Sequence, residues 1–185
     1  MERTSKTICI LVLALLFTAS LAHAQSTTGA TTINVTVAAE AALTVTTGTT
    51  NLTSTGTTFN NYTGTTNLTY FIRTTLAGGT GNIVLQITSD FSPTGGPSVG
   101  TPPTAGDTLA YTCTVANPGN NGTATACSGS VTSSTSAQTS VAAFGADARS
   151  LKAGNSASAA WTLTNDAKYK TGSYSATATF TISAT

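Results

Sequence analysis

The chain has 185 residues but only 7 Lys or Arg and 6 Asp or Glu, so charged residues make up 7% and the formal net charge is +1. Charge this sparse and balanced leaves no electrostatic footprint for nucleic acid or for an anionic membrane surface. Thr, Ser, Ala, Gly and Asn dominate, a composition that favours short strands and polar turns over helices.

The first 24 residues combine a basic start (Arg3, Lys6), an apolar run over residues 8–16 and the small-residue pattern Ala22-His23-Ala24. That is the pattern of a secretory signal peptide cleaved after Ala24, and the run is too short to anchor the chain across a bilayer. The expected mature protein is therefore secreted or at the cell surface. Cleavage removes His23, the only histidine, together with Cys9. What remains is Arg73, Arg149, Lys152, Lys168 and Lys170 against Glu40, Asp90, Asp107, Asp147 and Asp166, a net charge of zero. No later apolar segment is long enough to span a membrane.

This inventory argues against catalysis. Without histidine there is no imidazole base and no Ser-His-Asp or Cys-His arrangement. The acids are scattered, with no spacing that suits a glycosidase pair or a calcium loop. Gly78-Gly79 lacks the strand–glycine–helix context of a phosphate cradle. We expect no catalytic residue, no cofactor and no metal site. Asn-x-Thr triplets at Asn34, Asn51, Asn61, Asn67 and Asn121 match a glycosylation acceptor pattern that chance supplies easily in a Thr-rich chain.

Along the mature chain, residues 25–32 read as a flexible leader. Ile33, Val35, Val37, Ala39, Ala41, Leu43 and Val45 then hold one two-residue phase, over a length of roughly 40 Å at about 3.3 Å per residue. Such a run is more than twice a typical strand. Either it breaks near Ala38-Ala39-Glu40, or its first half projects beyond its own domain. Residues 46–66 are Thr/Gly/Asn-rich. Strands follow at Leu68, Tyr70 and Ile72 and at Ile83, Leu85 and Ile87, then a Pro/Gly-rich loop over residues 89–107.

Leu109, Tyr111, Cys113 and Val115 alternate, and Asn117-Pro-Gly-Asn-Asn-Gly122 is a dense turn signal. Reflecting Cys113 about Asn120 lands on Cys127, so a hairpin over residues 108–131 sets the two sulfurs opposite each other. In an exported chain this pair reads as a disulfide. Val141-Ala-Ala-Phe144 marks another strand, residues 145–153 a short helical turn, and Ala157, Ala159, Trp161 and Leu163 the penultimate strand. From Tyr174 to the end, Tyr174, Ala176, Ala178, Phe180, Ile182 and Ala184 alternate with hydroxyl residues, the pattern of a strand with one face in a core. The expectation is an all-β, antiparallel sandwich over residues 39–185, preceded by an extension over residues 25–38.

Thr32-Ile-Asn-Val-Thr-Val-Ala followed by Leu43-Thr-Val, and Lys170-Thr-Gly-Ser-Tyr-Ser with its alternating tail, resemble the two ends of major pilins from alternate (class 5) chaperone–usher fimbriae. More distantly they resemble spore-coat-U-like secreted domains. The resemblance implies an Ig-like sandwich lacking one strand, completed by the N-terminal extension of a neighbouring subunit. Ile33, Val35 and Val37 are then the donor strand, and Tyr174, Phe180 and Ile182 line the acceptor core. The implied partners are copies of the chain or related subunits, with a periplasmic chaperone and an usher.

The leading expectation is a non-catalytic, pilin-like structural subunit. The alternative for residues 33–37 is an ordinary first strand within their own domain, giving a monomeric surface or coat protein. A third reading is a carbohydrate-binding module using Trp161, Tyr62, Tyr70 or Phe71, although Trp161 sits in phase with core positions.

Overall fold

The structure, a computed structural model, describes residues 28–56 and 58–185; the expected signal peptide over residues 1–24 lies outside them. The chain divides at Thr36 into a leader and a unit running from Val37 to Thr185. Residues 28–39 carry no strand pairing.

Nine strands and no helix occur among the described residues. They are β1 (Glu40–Val45), β2 (Tyr62–Arg73), β3 (Gly81–Ser92), β4 (Leu109–Val115), β5 (Ala124–Ala126), β6 (Val131–Thr132), β7 (Thr139–Phe144), β8 (Asn155–Leu163) and β9 (Ser175–Ala184). Two sheets form, in the orders β1-β2-β8-β4-β6 and β5-β7-β3-β9, with every pair antiparallel. The fold is therefore an all-β antiparallel sandwich. No helix of the described residues is long and apolar enough to cross a membrane.

Period-2 alternation sets the core. Leu68, Tyr70 and Ile72 of β2, Ile83, Leu85 and Ile87 of β3, and Ala157, Ala159, Trp161 and Leu163 of β8 all point inward and are buried. Each large aliphatic side chain removed from water in this way contributes about 1.5–3 kcal/mol. One aromatic pair joins the layers, Tyr70 meeting Phe144 at 4.9 Å between ring centroids, and a second, Tyr111 with Trp161 at 5.4 Å, packs neighbouring strands of one sheet.

The two long sides of the sandwich differ. Cys113 and Cys127 form a disulfide with a Cα–Cα distance of 5.5 Å. The bridge does not close the simple hairpin expected from the reflection about Asn120. Cys113 lies on β4 in one sheet, and Cys127 directly follows β5, which pairs with β7 in the other sheet. The turn therefore crosses between layers, with Gly122 at φ 89° against Ala148, where a Cβ would meet the Ala148 Cα at 2.6 Å. The disulfide staples one side, leaving β1 and β9 as sheet edges on the other. Residues 145–153 form turns without a helix, because Asp147 adopts a φ of 52°.

Candidate functional site: an open strand edge and an unpaired leader

Among the described residues β9 pairs with β3 alone, which leaves its second edge free. Its inward residues Ala176, Ala178, Phe180, Ile182 and Ala184 pack against the core but stay half-exposed, whereas their partners Ile83, Leu85 and Ile87 are buried. A strand covered on one flank and open on the other gives that contrast.

Backbone phase adds a second property. The Thr185 N–H donates to the Thr80 carbonyl at 2.8 Å, one step beyond the Gly81–Ala184 pair. In an antiparallel ladder such bonded residues alternate with residues whose N–H and C=O face the other way. Thr181 and Thr179 therefore bond toward β3, while Ala178, Phe180 and Ile182 turn their amides to the free edge. The same residues supply apolar side chains to the interior and unpaired backbone groups to the rim.

β1 mirrors this across the opening. The Thr46 N–H donates to the Asn67 carbonyl at 2.9 Å, which sets Glu40, Ala42 and Thr44 toward β2 and turns Ala41 and Leu43 to the free edge. The Ala41 and Leu43 side chains are half-buried over the core. Beneath them Tyr70, the cross-strand partner of Leu43, donates its hydroxyl to the Ala116 carbonyl, and burial pushes its pKa up to about 12. β1 and β9 come within 8 Å between Cα atoms without forming a ladder. A strand lying between them needs about 9.6 Å, two interstrand spacings, so an entering strand must wedge β1 outward.

The long two-residue phase of residues 33–45 is interrupted for a local reason. The β1–β2 register runs from Val45–Leu68 to Glu40–Arg73, and its next bonded pair is Ala38 with Thr75. Thr75 is already committed: its N–H donates to the Thr185 carbonyl at 3.0 Å, and its carbonyl accepts from the Asp147 N–H at 2.9 Å. Arg73 supplies the missing donor from its side chain. Its Nε donates to the Ala38 carbonyl at 2.7 Å, and a terminal nitrogen pairs with the Glu40 carboxylate at 2.9 Å.

The residues singled out from the sequence fall into four groups. Ile33, Val35 and Val37 are 88%, 83% and 63% exposed and belong to no strand. Phe180 and Ile182 lie on β9, facing inward. Tyr174 does not join them. It precedes β9, its ring covers Gly96, where a Cβ would fall 2.4 Å from the ring, and its hydroxyl donates to the Lys170 carbonyl at 2.7 Å. The alternation that includes Tyr174 thus starts one residue before the strand does. Trp161 and Tyr70 are buried and offer no face to a sugar.

Arg73 and Thr75 were missed. Nothing in the sequence distinguished Arg73 from the other cations, and Thr75 is one threonine among many. Compared with protein-family models, curated proteins and solved structures, the chain matches none.

Proposed function

We propose that this chain is a non-catalytic, exported, pilin-like structural subunit that assembles by strand addition. Residues 32–37 of one copy occupy the β9 edge of the next. The observation that carries the reading is a pair of complementary features on one chain. An exposed apolar comb (Ile33, Val35, Val37) has a two-residue period, and a free edge presents inward apolar residues of that period (Ala178, Phe180, Ile182) with outward amides.

Backbone bonds to the edge supply affinity, and alternate side chains supply specificity. Burying each comb residue contributes about 1.5–3 kcal/mol, the same scale as ordering the segment at about 1–2 kcal/mol per residue. The ladder is therefore needed to make the joint stable. A bare, half-apolar edge also invites unwanted pairing, which gives a periplasmic chaperone and an usher their place as partners before assembly at the cell surface.

The test deletes residues 32–37 from the mature protein and follows assembly by sedimentation. The intact protein should form concentration-dependent polymers and the deleted one only monomers. Polymers undiminished by the deletion would overturn the reading. A single small species of the intact protein at every concentration would favour the monomeric surface or coat protein instead.

A further inference from the structure

We propose that Arg73 is a positioning residue that keeps the leader from closing onto its own β9 edge, reserving that edge for a second copy; this rests on the strand-addition reading above. Strand direction is the first obstacle to closure. Gly81 pairs with Ala184, and Thr75 bonds Thr185, so β9 ends at the end of the sandwich where β2 stops and β1 starts. β1 runs away from that end and β9 runs toward it. For residues 33–37 to reach the β9 edge of their own molecule, the chain must reverse at Ala38-Ala39. It must then run antiparallel to β1 and consequently parallel to β9.

A strand from another molecule carries no such constraint. It can pair antiparallel to β9, as every pairing in this sandwich does, and antiparallel ladders are slightly more stable per residue than parallel ones. Closure within one chain is thus disfavoured by direction.

It is disfavoured again by turn chemistry. A two-residue reversal requires positive φ at one or both central positions and draws on Gly, Asn or Asp, whereas this chain has two alanines. The third obstacle is the clamp. Arg73 holds the Ala38 carbonyl at 2.7 Å, within the required turn, and the Glu40 carboxylate at 2.9 Å just after it. Since Thr75, two residues beyond β2, is bonded elsewhere, its backbone does not substitute for the guanidinium.

The experiment compares the mature wild-type protein with Arg73→Ala and with the double variant Ala38→Asn, Ala39→Gly, which installs a turn while leaving Arg73 in place. Hydrogen exchange of the amides of residues 33–37 is read at a dilution where only monomers sediment, and assembly is followed at higher concentration. Wild-type monomers should exchange freely over these residues. Both variants should show protection there in the monomer, and Arg73→Ala should assemble roughly fivefold less readily, the scale of one exposed ion pair.

Protection of β3 and β8 amides reports that each variant is folded, and Arg73→Met, which keeps the stem and removes the donors, carries the test if Arg73→Ala is not. Free exchange over residues 33–37 in a folded Arg73 variant, with assembly equal to wild type, overturns the clamp. Failure of the wild type to assemble at any concentration overturns strand addition itself, while the dilute-monomer exchange still reads closure within one chain.

Discussion

Trp161 donates its indole N–H to the hydroxyl of Thr66 at 2.8 Å, across the β8–β2 pairing and out of reach of water. Thr66 in turn shares a 2.6 Å hydrogen bond with Thr50 in the segment between β1 and β2. The only tryptophan of the chain is therefore satisfied by a single hydroxyl. Thr66→Val keeps the shape but strands a buried donor, and it should lower stability by about 1–3 kcal/mol. Thr50→Val acts on a half-exposed group and should cost less. Urea unfolding followed by tryptophan fluorescence measures both, and equal losses for the two would contradict the assignment.

The disulfide can be tested separately from the core. It joins residues 14 apart in sequence and ties β4 of one sheet to the end of β5 in the other. The chain-entropy model gives a loop of this size about 3 kcal/mol. The double variant Cys113→Ala, Cys127→Ala should lose about that much unfolding free energy in urea denaturation, with an intact sandwich. A loss well below 1 kcal/mol would mean that β5 is held mainly by its pairing with β7.

How far the sequence reached depended on the range of the forces involved. Alternation alone located the inward faces of β2, β3, β8 and β9, since burying one face of a strand leaves a period-2 trace in local sequence. The cysteine pairing was legible too, but not its path. A turn signal says that the chain reverses, and it cannot say whether the chain returns to the same sheet or crosses to the other. The break before β1 was legible as one of two options, near Ala38-Ala39-Glu40, but its cause was not. What stops that strand is the engagement of Thr75 by Thr185 and Asp147, contacts 110 and 72 positions away that leave no local pattern. Tyr174 kept the alternation of the tail while standing outside the strand, because period 2 marks extended backbone whether or not a ladder is present.

Asp90 provides the pH-dependent element. Burial alone would raise its pKa, but the Ser98 hydroxyl and the N–H groups of Val99, Gly100 and Phe91 all donate to its carboxylate, and the net result lies below the ordinary value. These bonds fold the start of the Pro/Gly-rich loop back onto β3. A carboxyl whose pKa is depressed in the folded state contributes stability above its unfolded pKa and loses it as pH falls through the folded value. Wild-type stability should therefore decline on acidification below the usual carboxylate range, and Asp90→Asn should flatten that decline. Because Asp90 is partly solvated, the change is modest. Chemical denaturation at a series of pH values between neutral and strongly acid provides the check, and identical slopes for the two proteins would rule out Asp90 as the source.

Strand addition predicts that charge on the comb and truncation on the acceptor edge fail in different ways. Val35 is 83% exposed, so Val35→Asp should leave the stability of the monomer within about 0.5 kcal/mol of wild type, as surface changes usually do. In a joint between copies the same carboxylate enters an apolar slot with no cation to meet it, a burial that is strongly unfavourable. Assembly should therefore be abolished with no change in melting temperature. Phe180 is half-buried on β9 and packs against the core. Phe180→Ala should cost the monomer about 1–2 kcal/mol, less than the roughly 3–5 kcal/mol of a fully buried ring, and should weaken assembly as well. Sedimentation and thermal unfolding of the two variants separate the roles. If Val35→Asp destabilises the monomer as much as Phe180→Ala does, then Val35 belongs to the interior of its own molecule, and a second copy is not what the comb is for.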